Sequence, residues 1–270
     1  MSTIHLELLG STIALHVPAP WTELLAELWA PFVRVAQSPP AMEVGIEGTE
    51  ELWSFRIDGG PPHPVPNGWE LLDQIRHAMT ERASELAPSF LVLHAGVVER
   101  DGRCVLIAGP SGVGKTTLTM ALLGRGWSYM SDDIAPIDIA TLEVAPFPKP
   151  LGVRSPEGWT EVLEHWSPPE WLREPERTLA APAHVLGAVS AYPAVARVVV
   201  LPDRAGDQGR LTPAEAVVRL GQYAGRMDRS LLPVLASLAR AVPAHVIPAR
   251  GVGEALARIQ KVVEDAVTQP

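Results

Sequence analysis

The chain has 270 residues, of which 47% are hydrophobic and 20% charged, so a largely disordered protein is excluded and one large or two modest domains are expected. A formal net charge of −9 without any Lys/Arg cluster argues against a nucleic acid polymer or a membrane as partner. The single cysteine, Cys104, excludes a disulfide framework within the chain. Because residues 1–17 also lack the pattern of a signal peptide, we expect a cytoplasmic protein.

The first third of the chain is predicted to be rich in β-structure. Loose alternation over residues 4–17 predicts a hairpin, and strands are predicted at 42–47 and 52–57. The Pro- and Gly-rich residues 59–67 predict a loop or hinge, and apolar residues at helical spacing over 68–86 predict an amphipathic helix. We therefore assign residues 1–87 to a β-rich N-terminal region with one helix.

The rest of the chain alternates between strand and helix patterns. Two apolar runs, 90–98 and 103–108, predict buried strands joined by a turn that ends in Gly102. We interpret residues 145–150 as an extended proline segment and 155–181 as a surface excursion or lid. The remaining predicted elements are helices at 118–123, 213–220, 230–241 and 252–267 and strands at 127–130, 195–201 and 244–247. We assign residues 88–270 to an α/β catalytic domain with a mixed sheet flanked by helices.

A phosphate-binding loop is predicted between the strand 103–108 and the helix after it. Residues 109–116 match G-x-x-x-x-G-K-[ST], and both the preceding strand and the following helix are present. Inward-pointing backbone N–H groups and the positive helix N-terminus would hold the phosphates of a nucleotide. Lys115 would contact the β- and γ-phosphates, and the Thr116 hydroxyl would bind Mg²⁺. The predicted nucleotide-binding residues are Gly109, Pro110, Ser111, Gly112, Val113, Gly114, Lys115, Thr116 and Thr117.

A pair of carboxylates follows the next predicted strand. Asp132 and Asp133 would be delivered to the metal and substrate side if that strand lies beside the loop. One carboxylate could hold Mg²⁺, and the other could accept the proton of an attacking hydroxyl. We predict Thr116 and Asp133 as metal ligands, while the identity of the base stays open. An Asp pair at a strand end is also typical of a cap on the next element.

The stretch LHAGVVERDGRCVLIAGPSGVGKTTLTMALLGRGWSYMSDDIAPI, residues 93–137, resembles the catalytic core of the HPr kinase/phosphorylase family and its relatives. The resemblance implies a kinase core of the HPr-kinase/PEP-carboxykinase type that uses ATP and Mg²⁺. It also implies catalytic roles for His94, Lys115, Asp132 and Asp133. On pattern alone, a lone histidine in an apolar strand is typical of a core residue. HPr kinases associate into hexamers, so a homo-oligomer is left open.

The acceptor of the phosphoryl group is not specified by these motifs. Relatives of this shape include kinases that tailor ribosomal peptides such as lasso peptides, so the resemblance favours a Ser hydroxyl on a peptide or protein. The alternatives are a kinase for a small hydroxylated metabolite and a regulatory nucleotide-binding module without transferase activity. The candidates for contacting nucleotide or transferred phosphate are Lys149, Arg154 and one of Arg226 or Arg229, with solvated surface cations as the alternative reading.

Overall fold

The computed structural model describes residues 1–49, 52–154, 156–172, 178–203, 208–225, 230–248 and 251–268. The chain divides into two compact units. The first unit contains Met1–Ala87 and Lys149–Val185, and the second contains Pro88–Pro148 and Leu186–Pro270.

Strands and helices are numbered here in chain order. The strands are β1 (Ser2–Leu8), β2 (Ser11–Val17), β3 (Met42–Thr49), β4 (Leu52–Ile57), β5 (His63–Val65), β6 (Phe90–Leu93), β7 (Ala95–Arg100), β8 (Arg103–Ala108), β9 (Ser128–Ser131), β10 (Ala135–Asp138), β11 (Glu143–Val144), β12 (Leu151–Val153), β13 (Leu179–Ala181), β14 (Ala194–Asp203), β15 (Gly209–Arg210) and β16 (Ala244–Pro248). The helices are α1 (Ala19–Leu28), α2 (Gly68–Glu85), α3 (Lys115–Leu123), α4 (Pro156–Leu163), α5 (Pro213–Gly221), α6 (Leu232–Ala241) and α7 (Val252–Thr268), with a 3₁₀ turn at Ala30–Phe32.

The first unit is built on a sheet with the strand order β1-β2-β3-β4-β5. The predicted hairpin over residues 4–17 is confirmed, since β1 and β2 pair antiparallel from Ser2↔Val17 to Leu8↔Ser11. The prediction of a loop or hinge at 59–67 is wrong for residues 63–65, because β5 pairs antiparallel with β4. Pro64 is tolerated there because β5 lies at the edge of the sheet, where a strand can lack one N–H donor.

Two helices, not one, belong to the N-terminal region. The predicted helix over 68–86 is confirmed as α2, and its first turn is capped by the Asn67 side chain, which accepts from the Glu70 N–H at 2.8 Å. Helix α1 was not predicted. It buries the residues Trp21, Leu24, Leu25 and Leu28.

The segment 149–185 belongs to the first unit, not to the catalytic domain assigned from the sequence, and some of its described residues, such as Trp166 and Leu172, are buried. Within this segment β12 pairs antiparallel with β13. Trp171 packs edge-on against Trp21 with ring centroids 4.9 Å apart. Leu172 lies so close to Gly68 that an added Cβ there would come 2.5 Å from its Cδ1 atom. The burial of apolar side chains from this segment in the first unit explains the difference.

The second unit has a curled mixed sheet with helices, in agreement with the predicted α/β class. Within the described residues its main strand order is β6-β10-β11-β14-β8-β7-β9. The strand β14 pairs in parallel with β8 on one side and with β16 on the other, and β15 pairs antiparallel with β16. The three parallel strands therefore end at one edge of the sheet, which is where α/β proteins commonly bind ligands.

The predicted single strand over residues 90–98 is interrupted at His94. Strand β6 pairs with β10, whereas β7 pairs with β8 and β9, so the chain changes neighbours between the two. The His94 N–H leaves the ladder and donates to the Tyr223 carbonyl oxygen at 2.6 Å. This break places His94 between β6 and the start of β7, where it is partly exposed instead of buried in the core.

No helix in the described part of the chain combines the length and apolar character that a membrane crossing needs.

Candidate functional site

The glycine-rich loop joins β8 to α3 in the second unit. Two of its residues adopt left-handed backbone conformations, Gly112 with φ of 78° and Gly114 with φ of 103°. Side chains other than glycine are strained there, which explains the spacing of the motif. Helix α3 begins at Lys115 directly after Gly114, so the positive end of the helix adjoins the loop, a setting that favours an anion.

Lys115 has its ammonium group at the start of the loop. Its Nζ atom donates to the carbonyl oxygens of Gly109 at 2.8 Å and Pro110 at 3.1 Å. The same atom lies 3.0 Å from His94 Nε2. Only 6% of the Lys115 residue is exposed. Because little water can reach this ammonium group, the loop carbonyls and the imidazole provide polar contacts for its charge.

His94 joins the lysine to one of the two predicted carboxylates. Its Nδ1 atom lies 2.8 Å from Asp133 Oδ1. Since a lysine ammonium can only donate, Nε2 accepts and the proton of the neutral ring belongs on Nδ1, from where it is donated to Asp133. The three side chains form a continuous chain of polar contacts from Lys115 through His94 to Asp133.

Asp132 has a different environment from its neighbour. Its Oδ1 accepts from the Tyr129 hydroxyl at 3.0 Å and its Oδ2 accepts from the Thr116 hydroxyl at 3.4 Å. The Asp132 residue is 2% exposed, whereas the Asp133 side chain is 27% exposed. The two adjacent carboxylates therefore have different partners and different access to solvent.

Local structure holds this acidic turn in place. Strand β9 ends at Ser131, whose Oγ accepts from the N–H of Ile134 at 3.1 Å. The Asp133 carbonyl accepts from the Ala95 N–H at 3.1 Å, which ties the turn to the start of β7. The side chain of Asp132 is thereby aimed at Thr116 on α3, and that of Asp133 at His94.

The structure brings together five of the residues predicted from the sequence, namely His94, Lys115, Thr116, Asp132 and Asp133. Thr117 is exposed in the first turn of α3. Among the additional cations, Lys149 and Arg154 belong to the first unit, and Arg226 and Arg229 lie outside the described residues.

A pocket of about 290 Å³ lies beside the loop within the second unit. Its lining includes Pro110, Ser111 and neighbouring loop residues together with Asp203, Arg219 and Tyr223. None of these last three residues is predicted from the sequence as a site residue. Asp203 has a recognisable signal, because it comes two residues after the end of a predicted strand, as Asp132 does. Nothing in the sequence pattern distinguishes Arg219, in a predicted helix, or Tyr223, just after it, from other polar residues of that segment.

The residues around Thr116 suit a magnesium ion in their chemistry. A hydroxyl and a carboxylate are hard oxygen donors, and Mg²⁺ is commonly held by one or two carboxylates together with substrate phosphates and water. Within the described residues no group of three or more His, Cys, Asp or Glu side chains forms an all-protein metal cage. The donors fit a metal that arrives with a nucleotide.

Cysteine chemistry is not part of this site. Cys104 is fully buried in β8, where burial, and secondly the charge of Glu99, raise the pKa of its thiol far above the usual range. The thiol stays protonated and is a poor nucleophile.

Comparisons with known proteins give one structural likeness to report. No protein-family model matches the sequence, and no curated protein matches it. The structure of the HPr(Ser) kinase/phosphatase from Coxiella burnetii matches with a TM-score of 0.37 and 15% identity, over 64% of this chain and 98% of that chain. At this TM-score the likeness carries no argument about the function of the chain.

Proposed function

We propose that the chain is an ATP- and Mg²⁺-dependent kinase that transfers the γ-phosphoryl group to a hydroxyl, with a Ser of a peptide or protein as acceptor. The observation that carries the proposal is the convergence of Lys115, His94 and Asp133 at one end of a glycine-rich loop. A loop of this kind needs little more than a lysine, a metal-binding hydroxyl and a positioned acid to transfer a phosphoryl group. The preference for ATP follows from the resemblance of residues 93–137 to HPr kinases.

Lys115 and the loop bind the phosphates in this account. The Lys115 ammonium exchanges its contacts with the Gly109 and Pro110 carbonyls for phosphate oxygens when the nucleotide enters. The contact with His94 keeps the ammonium close to the acid that receives the proton. N–H groups of the loop and of the first turn of α3 add partial positive charge.

Thr116 and Asp132 are the proposed metal ligands. Their mutual hydrogen bond puts a hydroxyl and a carboxylate side by side, whereas Asp133, the acid named from the sequence, is paired with His94. A bound Mg²⁺ would neutralise charge on the β- and γ-phosphates. Tyr129 holds the second oxygen of Asp132 and so fixes its orientation.

Asp133 is the proposed base. Its carboxylate is more exposed than that of Asp132, so an acceptor hydroxyl can reach it. As the hydroxyl oxygen bonds to the γ-phosphorus, its proton passes to Asp133, the bond from the γ-phosphorus to the bridging oxygen breaks, and ADP leaves with the electron pair. His94 orients the carboxylate through its Nδ1–H group and donates no proton to the products.

The test is transfer of label from γ-labelled ATP with Mg²⁺ to a pool of Ser-containing peptides and, separately, to a pool of hydroxylated metabolites. Wild type is compared with Lys115→Ala and with Lys261→Ala, which removes an exposed lysine of α7 as a matched control. Label on peptide serine that is lost only in Lys115→Ala supports the proposal. Label only on a small molecule would replace the peptide acceptor by a metabolite, and nucleotide binding without transfer to either pool would favour a regulatory module.

A further inference from the structure

We propose that the 290 Å³ pocket beside the loop binds the phosphoryl acceptor and that Arg219 holds a carboxylate of that acceptor close to the reacting hydroxyl. This inference rests on the proposed kinase function. It adds a specificity-determining residue and a chemical requirement for the substrate, neither of which the loop motif specifies.

The position of the pocket relative to the loop supports an acceptor rather than a nucleoside. Pro110 lines the pocket, and its carbonyl oxygen accepts from Lys115 Nζ at 3.1 Å. Tyr223 lines it from another side, and its carbonyl oxygen accepts from the His94 N–H at 2.6 Å. Two lining residues are thus joined through their carbonyl oxygens to Lys115 and His94, and His94 contacts Asp133. The lysine of such a loop contacts the β- and γ-phosphates. We therefore expect the γ-phosphoryl group to be transferred at the end of the loop where Lys115 lies.

The size and setting of the pocket define what can enter. A volume of about 290 Å³ lies at the lower end of the range for small-molecule sites, so it admits a side chain or a small polar molecule. Leu201, Pro202 and Asp203 place the pocket at the C-terminal end of β14, next to the parallel strand β8. That edge of a parallel sheet is a common binding region in α/β proteins.

Arg219 supplies a cation suited to recognising a carboxylate. It lies in the last turn of α5 and is exposed at the pocket rim. Its planar guanidinium has donors spaced to bind both oxygens of a carboxylate. Helix α5 is held at its start by a capping box, in which Thr212 Oγ1 accepts from the Glu215 N–H and the Glu215 side chain accepts from the Thr212 N–H. A well-capped helix keeps the backbone that carries Arg219 in a fixed position. The carboxylate of Asp203 in the same lining disfavours acceptors with several negative charges.

Two sources could provide the carboxylate, an acidic side chain next to a serine within a peptide or a carboxylate on a small hydroxy acid. Matched pairs of probes separate them. The peptide pair is acetyl-Gly-Ser-Asp-Gly-amide and acetyl-Gly-Ser-Asn-Gly-amide, and the small pair is N-acetyl-L-serine and N-acetyl-L-serinamide. For each probe, kcat/KM for label transfer is measured with wild type, Arg219→Gln and Arg240→Gln, which changes an exposed arginine of α6 outside the pocket lining.

We expect the carboxylate member of one pair to be preferred by roughly tenfold to a hundredfold, as for a hydrogen bond to a charged group. Arg219→Gln should reduce that preference to about twofold or less, and Arg240→Gln should retain it. If wild type and Arg219→Gln prefer the carboxylate probe over its neutral partner to the same degree, the inference is wrong, while the kinase proposal is left intact. A raised KM for MgATP in Arg219→Gln without lost discrimination would overturn it too, because the pocket would then hold the nucleoside.

Binding of the same probes is measured by saturation-transfer NMR in the presence of MgADP, so that the pocket is tested even without transfer. Arg219-dependent binding of the carboxylate probes in the absence of transfer would support carboxylate recognition by Arg219 but contradict the kinase proposal and, with it, the role of the pocket as an acceptor site. If the probes neither bind nor accept label, the pocket inference is wrong.

Discussion

Replacing Gly96 by alanine tests how closely β7 approaches the site helix. A Cβ atom at this position would lie 2.5 Å from Thr119 Oγ1 on α3, against about 3.4 Å for ordinary van der Waals contact. Thr119 is fully buried, so neither element can yield without a shift of the backbone. Overpacking of this kind costs ~1–3 kcal/mol of unfolding free energy. The Asp132 carbonyl lies 3.7 Å from the same point, so the shift would also disturb the acidic turn.

The assay is urea unfolding of wild type, Gly96→Ala, Thr119→Ala and the double variant. Within the described residues the Thr119 hydroxyl has no hydrogen-bond partner, so its removal relieves the overlap without breaking a bond. The double variant should therefore be more stable than the sum of the two single effects predicts, by a coupling energy of ~0.5–3 kcal/mol. Gly124→Ala is the matched control, because its nearest non-bonded atom would be 3.8 Å from the new Cβ and its φ is −60°. Additive effects, or an alanine tolerated at position 96 as well as at 124, would refute the reasoning.

Three further predictions concern stability and metal use. Thr212→Ala removes the capping box of α5 and should lower the unfolding free energy by ~0.5–2 kcal/mol in urea titrations, whereas Thr212→Ser should cost little. The pKa of His245 is lowered from 6.5, first by burial and then by the charge of Arg210, with Asp265 acting in the opposite direction. The unfolded chain therefore binds more protons below pH 6.5, so stability is complete above that pH and falls as the pH drops toward the lowered pKa. His245→Gln should flatten this decline in urea midpoints measured across the same range, and an unchanged slope would contradict the assignment. Asp132→Asn should raise the Mg²⁺ concentration needed for half-maximal transfer by about tenfold or more while the protein stays folded by circular dichroism, since an amide is a weaker metal ligand than a carboxylate.

Much of the second unit could be predicted because its signals are local. The strand before the loop, the left-handed glycines and the helix after it are specified within residues 103–123. Helix α1 also has a local signal, since its buried residues Trp21, Leu24, Leu25 and Leu28 recur at helical spacing after a proline-rich start. By contrast, the aromatic contacts of Trp171 depend on partners far away in sequence, so no local pattern could show that its segment packs in the first unit.

The roles of the individual site residues also depend on contacts with partners that are distant in the sequence. The sequence places both carboxylates directly after β9, but it does not show which of two adjacent aspartates takes which role. What separates them is the neighbour that each one meets, Thr116 for Asp132 and His94 for Asp133. The break of the strand at His94 is also set from a distance, because its N–H bonds to the carbonyl of Tyr223. Hydrophobic periodicity does not indicate a change of strand partner of this kind.

The most direct test of the account is single-turnover transfer of the γ-phosphoryl group by wild type, Asp133→Asn and Asp101→Asn. Asp101 occupies an exposed turn with φ of 55°, a conformation that asparagine also adopts, so it serves as the matched control. The account predicts that Asp133→Asn lowers the transfer rate by roughly 10²–10⁴-fold. MgATP affinity should stay within about twofold, because the proposed phosphate contacts come from the loop and Lys115. Equal transfer rates in wild type and Asp133→Asn would contradict the central claim that this carboxylate receives the acceptor proton.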